Sequence, residues 1–215
     1  MLSDKSKYKE LKKILGFYPD NAALYDQAFT HKSIVNEERL GEKDSNERLE
    51  FLGDAVLGAV IADYLYLQYP QEDEGFLSKM RSKMVNRAFL NQLAIDLGLD
   101  TFIETSADTS RSQSIFGDAF EALIGAIYLD KGYNECKTFI IDRVVKDYID
   151  LKQLINTESN YKSKLIEWTQ QHKLPYEFKI TFQEADQAKE FLCQLYVSGE
   201  LVGKFFCLIG FLKSI

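Results

Sequence analysis

Three cysteines, three prolines and two histidines are spread over 215 residues, and each scarcity removes a class of chemistry. Cys136, Cys193 and Cys207 are far apart, odd in number and form no CxxC pair. That excludes a cysteine zinc site and a disulfide framework, and it fits a reducing cytosol, so a cytoplasmic location is expected. His31 and His172 stand in unrelated contexts and offer no histidine metal set. No apolar run approaches the roughly 20 residues of a membrane span. The longest runs from Phe205 to Leu212. The opening MLSDKSKYKELKK has no apolar core and does not read as a signal peptide. Positive charge is also in deficit: 26 Lys and Arg face 33 Asp and Glu, for a net charge of −7. Taken alone, this argues against a nucleic-acid partner, because phosphates attract Lys and Arg. Bound divalent cations would offset part of that charge.

What is present is ordinary for a globular chain, with 46% hydrophobic and 27% charged residues. Residues 1–150 read as almost entirely helical, with 3.6-residue periodicity near 5–15, 21–30, 46–69, 75–97, 113–130 and 133–150. Ser45 or Asn46 is placed to cap the third helix, Pro70 ends it, and Gly98 is placed as the C-cap of the next. Leu99 to Arg111 reads as a loop and 151–159 as a linker. Beyond it, 160–215 forms a small α+β unit. It has an amphipathic helix over Tyr161 to His172, strict alternation from Tyr176 to Phe182, and a second alternation through Phe191, Cys193, Leu195 and Val197. Ser198-Gly199-Glu200 reads as a turn. The fold class is therefore an all-α domain followed by a small, C-terminally truncated α-β-β-β domain.

Two acidic constellations carry the chemistry. In Asn46-Glu47-Arg48-Leu49-Glu50-Phe51-Leu52-Gly53-Asp54, the residues Glu47, Glu50 and Asp54 sit at i, i+3 and i+7. On a helix they span only about 60° of arc, so three carboxylates project from one face beside an apolar core face. Such a triplet can also be a solvated acidic stripe, partly neutralised by Arg48. The second constellation, Gly117-Asp118-Ala119-Phe120-Glu121-Ala122-Leu123-Ile124-Gly125, places Asp118 and Glu121 in an otherwise small and apolar helix. Carboxylates there are costly unless paired or metal-bound. Gly117 and Gly125 would permit close packing against the first helix. Oxygen donors from two rigid helices suit Mg²⁺, or Mn²⁺, with positions left open to water.

NERLEFLGDAVLG followed by GDAFEALIGAIYLD resembles the ribonuclease III family, as do QAFTHKS (Gln27 to Ser33) and DEGFLSKMRSKMVN (Asp73 to Asn86). The resemblance covers residues 10–150. It implies an all-helical endonuclease domain over 1–150, with Glu50, Asp54, Asp118 and Glu121 as metal ligands. Asp118 and Glu121 match the family's catalytic positions, and Asp54 and Glu121 are expected to act in catalysis. Glu47 and Glu74 match further acidic cleft positions. The activity implied is endonucleolytic hydrolysis of double-stranded RNA by metal-activated water, of the kind that processes rRNA and mRNA precursors, leaving 5′-phosphate and 3′-hydroxyl ends. A homodimer is implied, with Phe51 matching the aromatic residue that enters the partner's socket; Phe51 can equally be plain core. Lys79, Arg81, Lys83 and Arg87 are candidates for phosphate contact, with a solvated helix face as the alternative. His31 reads as a hydrogen-bonding residue rather than a catalyst.

Residues 157–204 resemble the start of a double-stranded-RNA-binding domain, with Glu167 at the family's first-helix RNA contact. The pattern then departs: Gln183 to Lys189 lacks the usual Gly-Pro-x-His, and after Val202-Gly203-Lys204 the expected basic helix is replaced by an apolar tail. The C-terminus reads as truncated or altered, with that tail covering part of the sheet. Two other readings stay open on sequence: a catalytically silent RNA-binding protein of the same fold, and a helical dimerisation module with incidental acidic faces.

Overall fold

The structure is a computed structural model that describes residues 4–38, 41, 44–106, 114–156, 161–185 and 188–208. The chain divides into two compact units, Met1–Thr157 and Glu158–Ile215.

The first unit is helical. In order it comprises α1 (Asp4–Leu15), α2 (Ala22–Phe29), α3 (Lys32–Glu38), α4 (Glu47–Gln68), α5 (Glu74–Met84), α6 (Arg87–Asp96) and α7 (Ile115–Thr138). A π-helical segment, Phe139–Val145, and the short α8 (Lys146–Tyr148) follow, then α9 (Leu151–Asn156). At the centre stands α7, apolar on every side from Ile115 to Ile127 apart from its two carboxylates, which is the pattern of a fully enclosed helix. Against it α4 packs Leu49, Val56, Leu57, Val60 and Ile61, and α2 packs Tyr25 and Phe29.

Two glycines set the distance between α4 and α7. A Cβ at Gly53 would collide with the carbonyl oxygen of Glu121, and one at Gly125 with the carbonyl oxygen of Leu49. The helices therefore meet backbone to backbone over their first turns. Gly125 was expected at such a contact; Gly53 is its reciprocal partner. Gly117 does something else. It faces α6, where its N–H donates to Asn91 Oδ1 at 2.7 Å.

Several boundaries differ from the sequence reading. The single helix expected over 75–97 is two, because Asn86 takes an extended backbone conformation and its Oδ1 accepts from Phe89 N at 2.9 Å, starting α6 afresh. Asn46 precedes α4, but its side chain makes no capping bond and its Nδ2 is buried without a hydrogen-bond partner. Residues 151–156, expected as linker, form α9, whose Leu151 and Leu154 lie three apart and pack on the core. Gly98 does take the left-handed conformation of a C-cap, with φ +74°. Gly132, with φ +82°, kinks α7 between the two helical stretches read at 113–130 and 133–150.

The second unit has α10 (Tyr161–Gln171) and an antiparallel meander, β1 (Tyr176–Ala185), β2 (Ala188–Val197) and β3 (Glu200–Leu208), in the order β1-β2-β3. Ser198 and Gly199 both have positive φ, as a tight two-residue hairpin turn requires. Among the described side chains of β2, Cys193 and Leu195 are buried. The backbone of Phe205 to Leu208, expected as tail, completes β3; 209–215 lie outside the described residues.

Candidate metal centre

Glu50 on the first turn of α4 meets Asp118 and Glu121 on the first two turns of α7. One oxygen from each of the three lies within 4.8 Å of the others, and all three side chains are partly buried. The glycine contacts make this possible. Where backbones touch at Gly53 and Gly125, side chains one turn nearer the N-termini converge instead of being held apart by a layer of apolar residues. The three carboxylates line a cavity of about 210 Å³ together with Val85, Arg87, Leu90 and Gly117.

The electrostatics are those of an anion cluster with too little counter-charge. Glu121 is pushed up to about 7, first by burial and then by the charges of Asp54, Glu50 and Asp118, with Arg87 opposing. Glu50 is raised by burial, Asp118 and Glu47, and held back by Lys32 and Arg87. Near neutral pH such a group must take up a proton or a cation. The donors are hard carboxylate oxygens on two fixed helices, close enough together to hold a metal ion between them.

The other candidates fall in different places. Asp54 is exposed on the next turn of α4 and outside the three-carboxylate group, although its charge is the second cause of the rise at Glu121. Glu47 is exposed and ion-paired with Lys32 at 2.9 Å. Glu74 is exposed at the start of α5 and accepts from the Ser78 hydroxyl. Lys79 and Arg81 are exposed on α5, whereas Arg87 opens α6 at the cavity wall. Lys83 corrects the sequence reading. It is only 4% exposed, and its ammonium donates to the carbonyls of Leu154 at 2.7 Å and Ile155 at 3.4 Å, so it ties α5 to α9 and cannot reach phosphate. In the second unit, Glu167 is exposed on α10.

Phe51 is 82% exposed, which removes core packing as its role. His31 is partly buried, and its Nδ1 accepts from Ser33 N at 3.2 Å. Burial and the neighbouring Lys32 lower its pKa. Sequence reasoning missed Lys32, the counter-charge to Glu47. A basic residue inside the THKS segment was the available signal, but only the fold brings it across to α4.

Comparison with known proteins places these features in context. A family model described as ribonuclease-III-like matches residues 21–148. The chain is 45% identical over 203 residues to ribonuclease 3 of Bacteroides fragilis, spanning 93% of this chain and 70% of that protein. The crystal structure of the nuclease domain of ribonuclease III from Campylobacter jejuni is 36% identical, with a TM-score of 0.57, and covers 66% of this chain and 97% of that one. A second structure of that C. jejuni domain, at TM-score 0.58 and 36% identity, is described for flexibility in its region of dimer formation.

Proposed function

The chain belongs to the ribonuclease III-like family, and on that premise we propose that it hydrolyses phosphodiesters of double-stranded RNA in its own carboxylate cavity. The products are 5′-phosphate and 3′-hydroxyl ends, and structured precursor RNAs, ribosomal and messenger, are the expected substrates. The observation that carries the reading is the meeting of Glu50, Asp118 and Glu121, with Glu121 titrating near neutrality for want of a cation. An apolar helix has no structural use for two carboxylates facing a third.

The residues divide the work. Glu50, Asp118 and Glu121 would hold Mg²⁺, with Asp54 completing the anionic face from α4. The ion would supply Lewis acidity toward water and phosphate. Glu121, raised to about 7 by burial and by its neighbours' charges, would give up its proton as the ion binds. Lys32 holds Glu47 at the rim, and neutralises it there.

Three further proposals follow. A duplex has two strands, and one unit has one carboxylate group. Phe51, exposed beside Glu50 on α4, is placed to seat in a second copy, so that two cavities face one duplex. The described helices include none long and apolar enough to cross a membrane, and the reading requires only a chain that meets RNA in the cytoplasm. The second unit is read as a partial duplex-binding module that adds affinity through α10, with Glu167 near its RNA face.

The test is incubation of the protein with a perfect synthetic RNA duplex in Mg²⁺ and in chelator, beside the Asp118→Asn variant. Cutting in Mg²⁺ alone, lost in the variant with duplex binding retained, supports the proposal. Binding without cutting by the unaltered chain would identify a silent RNA-binding relative. Neither binding nor cutting would leave only a helical dimerisation module.

A further inference from the structure

We propose that Arg87 is a catalytic residue of this cavity, its guanidinium donating to the non-bridging oxygens of the phosphodiester under attack. This rests on the hydrolytic reading above and goes beyond it by assigning the group that holds the reacting phosphate.

Five observations carry the assignment. Arg87 lines the same cavity as Glu50, Asp118 and Glu121. Its charge is felt by both Glu50 and Glu121, so the guanidinium stands within electrostatic reach of the carboxylates. Yet among the described residues no carboxylate lies within ion-pair distance of it, so its donors are not spent on a partner. Lys32, the other cation near the cluster, is committed to Glu47 at 2.9 Å. The position is also one that stability does not favour. Arg87 is the first residue of α6, where a cation opposes the helix dipole by a few tenths of a kcal/mol. The extended conformation of Asn86, which separates α5 from α6, is what turns this residue to the cavity wall.

The chemistry suits an arginine. In hydrolysis a water oxygen bonds to phosphorus as the P–O3′ bond breaks. The electron pair of that bond leaves on O3′, which takes up a proton that the water has given up. Negative charge gathers on the two non-bridging oxygens on the way, and a planar fork of N–H donors meets both at once. Removing one preorganised donor to developing charge costs on the order of 10²–10³ in rate.

The experiment uses the full chain with a synthetic RNA duplex and Mg²⁺. Single-turnover cleavage at saturating protein is compared for the unaltered chain, Arg87→Ala and Arg87→Lys. Duplex Kd is measured in chelator, and circular dichroism checks folding; Arg87 is exposed at a helix start, and Arg87→Lys keeps its charge and stem. The expected result is a saturated rate roughly 100-fold lower or worse in Arg87→Ala, with Kd within about threefold and partial recovery in Arg87→Lys. A duplex with sulfur at one non-bridging oxygen of the cleavage site should slow the unaltered chain more than Arg87→Ala, because the variant has already lost the contact that sulfur weakens. A saturated rate within threefold of the unaltered chain, a loss confined to Kd, or an equal sulfur penalty in both would overturn the proposal. Failure of the unaltered chain to cut would sink the hydrolytic reading itself, and this one with it. Normal cutting by both chains would sink only the role of Arg87.

Discussion

Replacing Glu121 with Gln should stabilise the metal-free protein, by an amount that depends on pH. Glu121 titrates at about 7 in the folded state against 4.5 ordinarily, mainly through burial. Between those values the unfolded chain has released the proton while the folded chain retains it, so stability falls as pH rises from about 4.5 to 7 and the cost is complete above 7. The difference corresponds to about 3 kcal/mol. The cavity is open on one side, and solvent screening there reduces the effect to about 1–2 kcal/mol. Gln matches Glu in shape and carries no charge, so at pH 8 in chelator Glu121→Gln should melt roughly 2–8 °C above the unaltered chain. At pH 5.5, still clear of the isoelectric point near 5.0, less than half of that advantage should remain. Adding Mg²⁺ should raise the melting temperature of the unaltered chain and scarcely move the variant. Melting curves by circular dichroism at pH 5.5, 7 and 8, with and without Mg²⁺, are sufficient. A variant no more stable at pH 8 in chelator, or an advantage that does not shrink at pH 5.5, would refute the account of Glu121.

Further outcomes follow from other contacts. Gly53→Ala would normally gain up to about 1 kcal/mol in a helix, but the new Cβ meets the Glu121 carbonyl, so a loss of roughly 2–3 kcal/mol in urea melts is expected, with cutting reduced more than 100-fold; a more stable variant would contradict the close approach of α4 and α7. Phe51→Ala should weaken self-association by roughly tenfold or more in sedimentation while changing the melting temperature of the monomer very little; unaltered association would remove Phe51 from the interface. Mg²⁺ binding should release protons near pH 7 and tighten as pH rises, levelling off above about 8, which calorimetry in two buffers of different ionisation enthalpy measures; a pH-independent affinity would argue against Glu121 as a ligand. Lys83→Met should cost about 1–3 kcal/mol by leaving two carbonyls of α9 without their donor, and should leave the salt dependence of RNA binding unchanged; a salt slope lower by about one would restore Lys83 as a phosphate contact.

The two acidic helices were legible because their signal is local. Carboxylates at i and i+3 in an apolar helix are visible without knowing what the helix packs on, and so is the strict alternation of the β1 strand. What stayed hidden depends on the third dimension. Lys79, Arg81, Lys83 and Arg87 look alike in sequence, but α9 buries one of them and the break at Asn86 turns another to the cavity. That break was missed because apolar residues continue through it at helical spacing, and Asn is read as a cap only when the chain around it is known to stop. Gly53 passed as part of a motif, since nothing in a sequence states which carbonyl a missing Cβ avoids. Residues 151–156 look polar enough for a connection, yet two leucines three apart suffice to dock a short helix when a buried ammonium waits for its carbonyls.

The Gly53 and Gly125 contacts have a consequence for how this protein can change. Ligand spacing is fixed where two main chains touch, not by the volumes of interlocking side chains. Enlarging or trimming the leucines and isoleucines farther along α4 and α7 therefore spends stability first and leaves the carboxylate triangle nearly unaltered. Cutting ability and melting temperature should drift independently in descendants of this chain, until a substitution falls on one of those two hydrogens.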